Sequence, residues 1–444
     1  MPIVVLMLLA ALLAGSPSQA ATNSPGHVAP LGSHPTSQVM RQSIDPVRLE
    51  LPSQAPQIWR SYQQEKPALV LFSEHPFLEP IPPELHQSVA KLINQGSAAE
   101  FRLHDSLQRA EPLLLPSQTL TAALDQHLFS EVVWYFPAQG KLADFKAENF
   151  RKLMSKAGFL TSAEAEKLHL VDEGILVGEV RHTPLRIMHP LAALPAIKHP
   201  VILHVDLGYF RGLFKNEIST PVYDLLQETV QLLRDSEWQC LAVTLSYSNE
   251  GGNYALATRF LISDLARLLK QPALLDGKMP ESWINRKNAM FSQNFFQEKN
   301  AKELIQKNAD SAPEDPTVQY DLYQLLIQSG KNQAAFAQLD KVVKLDPGYA
   351  EEYLALAETG LKNKWDKQTL TLLDKAMAAI PQDPLIPLQK AELLLKLKRP
   401  AEAMKIYTDL AKRTWSAVYY PEMANHLRQK AASLTESATN SSAK

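Results

Sequence analysis

Residues Pro316–Pro347 read PTVQYDLYQLLIQSGKNQAAFAQLDKVVKLDP, two helix-length stretches that turn at Gly330 and stop at a proline. Stepping 34 residues from Ala335 lands on Thr369 and then Ala403, and the same step from Pro347 lands on Pro381. With position 1 set at Pro316, Ala350 and Pro384, position 8 holds Tyr323, Ala357 and Ala391. Position 20 holds Ala335, Thr369 and Ala403, and position 27 holds Val342, Ala376 and Leu410. Small side chains at positions 8 and 20 let the helices of a pair approach closely. Position 32 holds Pro347, Pro381 and Trp415; proline there ends the second helix because it has no N–H for the ladder. Between these points apolar residues recur at helical spacing, as in Leu322, Leu325 and Leu326, then Leu339, Val342 and Val343. The turn residue is Gly330 in the first unit and Lys364 and Lys398 in the others. Stepping backwards finds Ala289, Ala301 and Pro313 at positions 8, 20 and 32, a worn fourth unit starting near Ser282. Glu422–Leu434 reads as the helix that closes the apolar end of such a stack.

This period and its residue pattern resemble the tetratricopeptide repeat (TPR) over residues 282–434. The resemblance implies a solenoid of helix pairs that binds other chains. In that family the first helices line a concave groove at positions 2, 5, 9, 12 and 13. Here the candidate peptide-binding residues are Tyr320, Gln324, Ile327, Leu354, Glu358, Leu361, Leu388, Glu392 and Leu395. The groove type that grips a peptide's terminal carboxylate has Lys and Asn at positions 5 and 9. Tyr320 and Gln324 stand there instead, so that ligand does not carry over. A mixed apolar and acidic groove suits an amphipathic helix or an extended peptide. The chain's own first domain is an equally available occupant.

Upstream the period changes. Ala68–Phe72, Glu131–Tyr135, Val201–Asp206 and Cys240–Leu245 are short apolar runs rich in β-branched residues. Amphipathic helix-length stretches lie between and after them at Pro83–Asn94, Gln118–His127, Thr220–Asp235 and Tyr254–Lys270. Such alternation predicts a parallel sheet covered on both faces over residues 66–275. Glu173–Arg181 and Leu185–His189 add a hairpin. The expected fold is therefore an α/β three-layer parallel-sheet domain followed by an all-α TPR solenoid. Ligands of such sheets bind beyond the carboxyl ends of the strands. Those ends are Ser73-Glu-His75, Asp206-Leu-Gly-Tyr209 and Ser246-Tyr-Ser-Asn-Glu250-Gly-Gly-Asn253. Nine of the twelve histidines fall between His75 and His204, which brings metal binding into consideration.

Three segments together resemble a diverged arginase/deacetylase-type α/β domain: the strand ending in His75, Leu120–Pro137 (LTAALDQHLFSEVVWYFP), and Val201–Phe210 (VILHVDLGYF) before a long helix. In that superfamily two metals are held by a D-x-H-x-D stretch after one strand and a D-x-D stretch after another. The matching positions here are Ser73, His75 and Phe77, then Asp206 and Gly208. His75 and Asp206 remain as candidate metal ligands, enough for a single divalent ion at most, since three or four ligands are the norm. The resemblance thus implies that the two-metal chemistry has been lost and that no cofactor is needed. His75 before Pro76 also fits a plain turn, His204 within an apolar strand fits a satisfied core histidine, and Asp206 fits a helix cap. Glu250-Gly-Gly between strand and helix could cradle an anion with its backbone N–H groups, yet no phosphate-loop pattern accompanies it. No G-x-S-x-G, H-E-x-x-H or C-x-x-C occurs.

The net charge of −2 argues against a nucleic-acid partner. The apolar run Ile3–Ala14 is too short to span a bilayer but has the length of a signal-peptide core, and Ser18-Gln-Ala20 supplies the small residues of a cleavage site. No positive residue precedes the run, and no cysteine follows it to take a lipid anchor. A Pro/Ser-rich linker is expected behind it, over residues 21–65, and a disordered tail over 435–444. Cys240 is the only cysteine, so no intramolecular disulfide or cysteine metal site forms.

The reading that follows is an exported, periplasmic or secreted scaffold, with no stable membrane span, that binds protein or peptide through its repeats. The competing reading is a metal-dependent amide or amidine hydrolase built on His75, Asp206, His204 and Glu250. A polymer-binding module would use Trp134, Tyr135, Tyr209 and Phe210, but these sit in or beside strands where core packing claims them. Export predicts a mature N-terminus at or near Ala21 in an extracytoplasmic fraction; N-terminal sequencing that finds intact Met1 in the cytoplasm refutes it.

Overall fold

The computed structural model describes residues 34–247 and 256–442, with side chains as far as 435. The expected signal peptide, the start of the expected linker and Glu250 lie outside the described residues. Among the described residues nine strands form one sheet: β1 (Ser37–Gln38), β2 (Val47–Leu49), β3 (Ala68–Phe72), β4 (Glu131–Tyr135), β5 (His169–Asp172), β6 (Ile175–Val180), β7 (Thr183–Met188), β8 (Val201–Asp206) and β9 (Gln239–Ser246). Their order is β1-β9-β8-β3-β4-β7-β6-β5, with β2 also on β9. Every residue of β3 and β8 is buried, which is why these runs carry no polar alternation. The five strands from β9 to β7 are mutually parallel.

The sheet is mixed, which corrects the all-parallel expectation. The hairpin β6–β7 is antiparallel and β5 extends it, while β1 runs antiparallel to β9. Residues 34–65 also depart from the expected linker. They supply β1 and β2 and place Trp59 and Ala55 in the core. This segment escaped the periodicity because its strands are only two and three residues long. One face of the sheet is covered by α1 (Pro56–Trp59), α2 (His86–Gln95), α3 (Ala98–His104), α4 (Thr119–Asp125), α5 (Ala147–Lys156) and α6 (Ser162–Lys167). The other is covered by α7 (Leu207–Leu213), α8 (Val222–Asp235) and α9 (Phe260–Lys270).

The described residues beyond α9 are mainly helical: α10 (Glu281–Asn294), α11 (Glu298–Ser311), α12 (Pro316–Gln328), α13 (Asn332–Leu345), α14 (Glu351–Lys362), α15 (Asp366–Ala379), α16 (Leu385–Lys396), α17 (Pro400–Ala411) and α18 (Met423–Ser442). α18 continues through 435–442, where a disordered tail was expected. Among the described residues no helix is long and apolar enough to cross a membrane. The second helices of four successive pairs begin at Glu298, Asn332, Asp366 and Pro400, always 34 residues apart. The turns keep the same step. Phe296, Gly330, Lys364 and Lys398 all have positive φ, at 56°, 71°, 59° and 58°. Ala335, Thr369 and Ala403 are fully buried where the helices of a pair meet. Thr369 substitutes for alanine there by donating its hydroxyl to Trp365 O at 2.9 Å.

A left-handed conformation costs an L-residue roughly 1–2 kcal/mol and glycine almost nothing. Lys364→Gly and Lys398→Gly are therefore expected each to stabilise the chain by up to about 1 kcal/mol, and Gly330→Ala to destabilise it by a similar amount. Urea denaturation midpoints check this; a loss of stability in both lysine variants refutes it.

Candidate functional site

From β3 the chain moves one way through β4 to β7, then returns to the other side of β3 for β8 and β9. The strand order therefore reverses between β3 and β8, and the crevice beyond their carboxyl ends is where such sheets hold ligands. Ser73, Glu74 and His75 leave β3 there, and Asp206 ends β8 beside them.

Asp206 and His204 are both fully buried and belong to one hydrogen-bonded chain. Trp59 Nε1 donates to Thr244 Oγ1 at 3.1 Å, and that hydroxyl lies 2.8 Å from His204 Nδ1. His204 Nε2 lies 3.2 Å from Ser246 Oγ, which donates to Asp206 Oδ2 at 2.5 Å. Asp206 Oδ1 accepts from Gly208 N at 2.9 Å and caps α7. Thr244 Oγ1 also donates to Leu203 O at 3.4 Å, so either ring nitrogen of His204 can carry the proton. Burial pushes the His204 imidazole down to about 3 and the Asp206 carboxyl up to about 7. Ser246, Thr244 and Trp59 were not foreseen from the sequence, because their role depends on β8 and β9 pairing in register.

The expected metal ligands do not assemble into a site. Both oxygens of Asp206 are engaged within the protein. His75 is half-buried, its backbone N–H donating to Ser73 Oγ at 3.1 Å, and burial lowers its ring pKa. Phe77, where the arginase-like pattern has a carboxylate, is core. Arg211 Nε lies 3.2 Å from Glu74 Oε2, placing an ion pair at the mouth of the crevice. Among the described residues no three His, Cys, Asp or Glu side chains converge on one point.

Two of the expected groove residues belong instead to the interior. Tyr320 is 2% exposed, with its hydroxyl donating to Glu352 at 2.5 Å and its ring 4.6 Å from that of Tyr349. Leu354 is also core. Gln324, Ile327, Glu358, Leu361, Leu388 and Leu395 are partly exposed and Glu392 is exposed.

The helical region meets the α/β domain through several polar contacts. Arg259, 4% exposed, donates to Glu50 Oε1 and Oε2 at 2.9 Å each and to Asp346 at 3.3 Å. Arg286 on α10, equally buried, donates to Asp321 and Thr317 at 2.8 Å and lies 3.8 Å from Asp264. After α17, Ser416 N donates to Ala110 O at 2.9 Å, and Tyr420 donates its hydroxyl to Leu107 O. The two arginines were missed in the sequence. The available signal was an arginine on an apolar helical face, Arg286 three residues after Trp283 and three before Ala289.

The buried pair sets a pH signature. His204, with its folded pKa depressed, makes the unfolded chain take a proton first as pH falls below about 6.5, which lowers stability. Asp206, with its folded pKa raised, makes the native chain hold a proton between about 4 and 7 that the unfolded chain lacks. Over roughly pH 4–6.5 the two effects cancel. Asp206→Asn removes one side, so its stability relative to the parent should fall on acidification by up to about 1.4 kcal/mol per pH unit. Denaturation curves at several pH values test this; parallel profiles for the two proteins refute it.

No family model and no curated protein matches the chain. Among solved structures it is similar to MamA 41-end from Desulfovibrio magneticus RS-1, at 16% identity over 36% of this chain and 96% of that one, with a TM-score of 0.23. The MamA RS-1 ArsTM double mutant is 17% identical over 36% and 98% of the two chains, also with a TM-score of 0.23. A further MamA crystal structure gives 15%, 36%, 94% and 0.23. Likenesses this distant establish nothing about what the chain binds.

Proposed function

We propose that the chain is an exported protein-interaction scaffold whose TPR-type solenoid binds a protein or peptide, and whose α/β domain has given up two-metal chemistry. The observation that carries this is the unbroken 34-residue register of four helix pairs, an arrangement that presents a row of first helices rather than a catalytic pocket. On two of those helices Glu358, Leu361, Leu388, Glu392 and Leu395 keep surface exposure. Leucines interleaved with carboxylates suit an amphipathic helix or extended segment bearing lysine or arginine. Export rests on the apolar run Ile3–Ala14 and Ser18-Gln-Ala20. The competing amide or amidine hydrolase needs three or four ligands around its ion, and Asp206 and His204 are already committed to each other through Ser246.

A photo-crosslinking residue placed at Leu361 or Leu388 should give a discrete adduct in intact cells. Glu358→Lys with Glu392→Lys should abolish it. Adducts no different from those of a probe at exposed Lys299, or unaffected by the charge reversal, would sink the scaffold reading.

A further inference from the structure

The start of α9 sits against the helical region as a ligand sits in its site. The Arg259 guanidinium lies 3.8 Å from the ring centre of Tyr247 and 5.3 Å from that of Tyr349. Its two terminal nitrogens meet Glu50 and Asp346. Asp346 donates nothing and does two jobs: its other oxygen accepts from Gly348 N at 2.9 Å, fixing the turn between α13 and α14. A Cβ on Gly348 would fall 2.2 Å from Nη2, so the backbone itself closes the cage. Three residues earlier Leu256 packs on the core that contains Tyr320 and Tyr349. One residue later the Phe260 ring lies 4.6 Å from the Arg286 guanidinium. Among the described residues Arg259 Nε is buried without a hydrogen-bond partner, so the cage grips the far end of the guanidinium. Aromatic faces and a bidentate carboxylate select arginine over lysine.

We infer that this cage is an arginine-recognition site which the chain fills with its own Leu256-x-x-Arg259-Phe260 segment, and that a partner segment of the same chemistry binds there when Arg259 is withdrawn. Half of the cage, Glu50 and Tyr247, belongs to the α/β domain, and half, Asp346 and Tyr349, to the helical region. The inference stands apart from the row of exposed residues on α14 and α16, because none of the cage residues is among them. An incoming segment competes with an internal one already in place, so its apparent affinity is reduced by the fraction of sites vacant.

The test uses the full chain carrying Arg259→Ala. Its melting temperature should fall below the parent's, and N-acetyl-L-argininamide should raise it saturably where N-acetyl-L-lysinamide does not. A labelled Ala-Arg-Ala tripeptide amide, small enough to need only the space left by the guanidinium, should bind this variant at least about tenfold more tightly than the parent, and Ala-Ala-Ala should not. If Arg259→Ala does not fold, Arg259→Met, which keeps the apolar stem and leaves the carboxylates without a cation, takes its place with the same expectations. Equal responses to the two amides, or equal peptide binding to variant and parent, overturn the assignment.

Discussion

A guanidinium cannot leave water without partners, and Arg259 leaves it almost completely. Isolated burial of a charge is prohibitive, so the fold must bring carboxylates to it from wherever they lie in the chain. Here they come from Glu50, more than two hundred residues upstream, and from Asp346, in a turn of the helical region. One ion-pair group thus fixes three segments relative to one another. Breaking either side leaves a buried charge unpaired, which makes the junction cooperative. Arg286 repeats the arrangement next door, tying α10 to α12 and to Asp264 of the α/β domain. The helical region is consequently anchored at its start and again beyond α17, with Arg259 between.

The same economy of polar groups governs the strand ends. In a parallel sheet covered on both faces, a polar side chain in a central strand must find its partner in the neighbouring strand. His204, Thr244, Ser246 and Asp206 do so across β8 and β9, and Trp59 closes the chain from the segment that precedes β3. Groups committed in this way hold the register of the sheet. They are also sealed from solvent, each of the four being fully buried.

Much of the architecture was legible because it rests on local periodicity. The 34-residue step is visible since each helix pair needs a small residue at the same contact, and Ala335, Thr369 and Ala403 are all fully buried there. The strands β3, β4, β8 and β9 announce themselves as apolar runs because both sides of each are covered. By contrast, β1, β2 and β5 are two to four residues long and carry no pattern, so residues 34–65 read as linker although they close one edge of the sheet. Tyr320 and Leu354 stood at groove positions by their place in the repeat, but they are interior in the folded chain.

The sequence by itself determined the kinds of element and their order: strands alternating with helices, then helix pairs at a fixed step. These follow from interactions between residues a few positions apart, which a linear pattern records. Only the tertiary structure decided what the polar residues do. Whether Asp206 binds an ion or caps a helix, and whether Arg259 faces water or a cage of Glu50, Asp346, Tyr247 and Tyr349, depends on groups brought together from distant parts of the chain. Burial and charge pairing act through space, and a one-dimensional reading has no distance on which to weigh them.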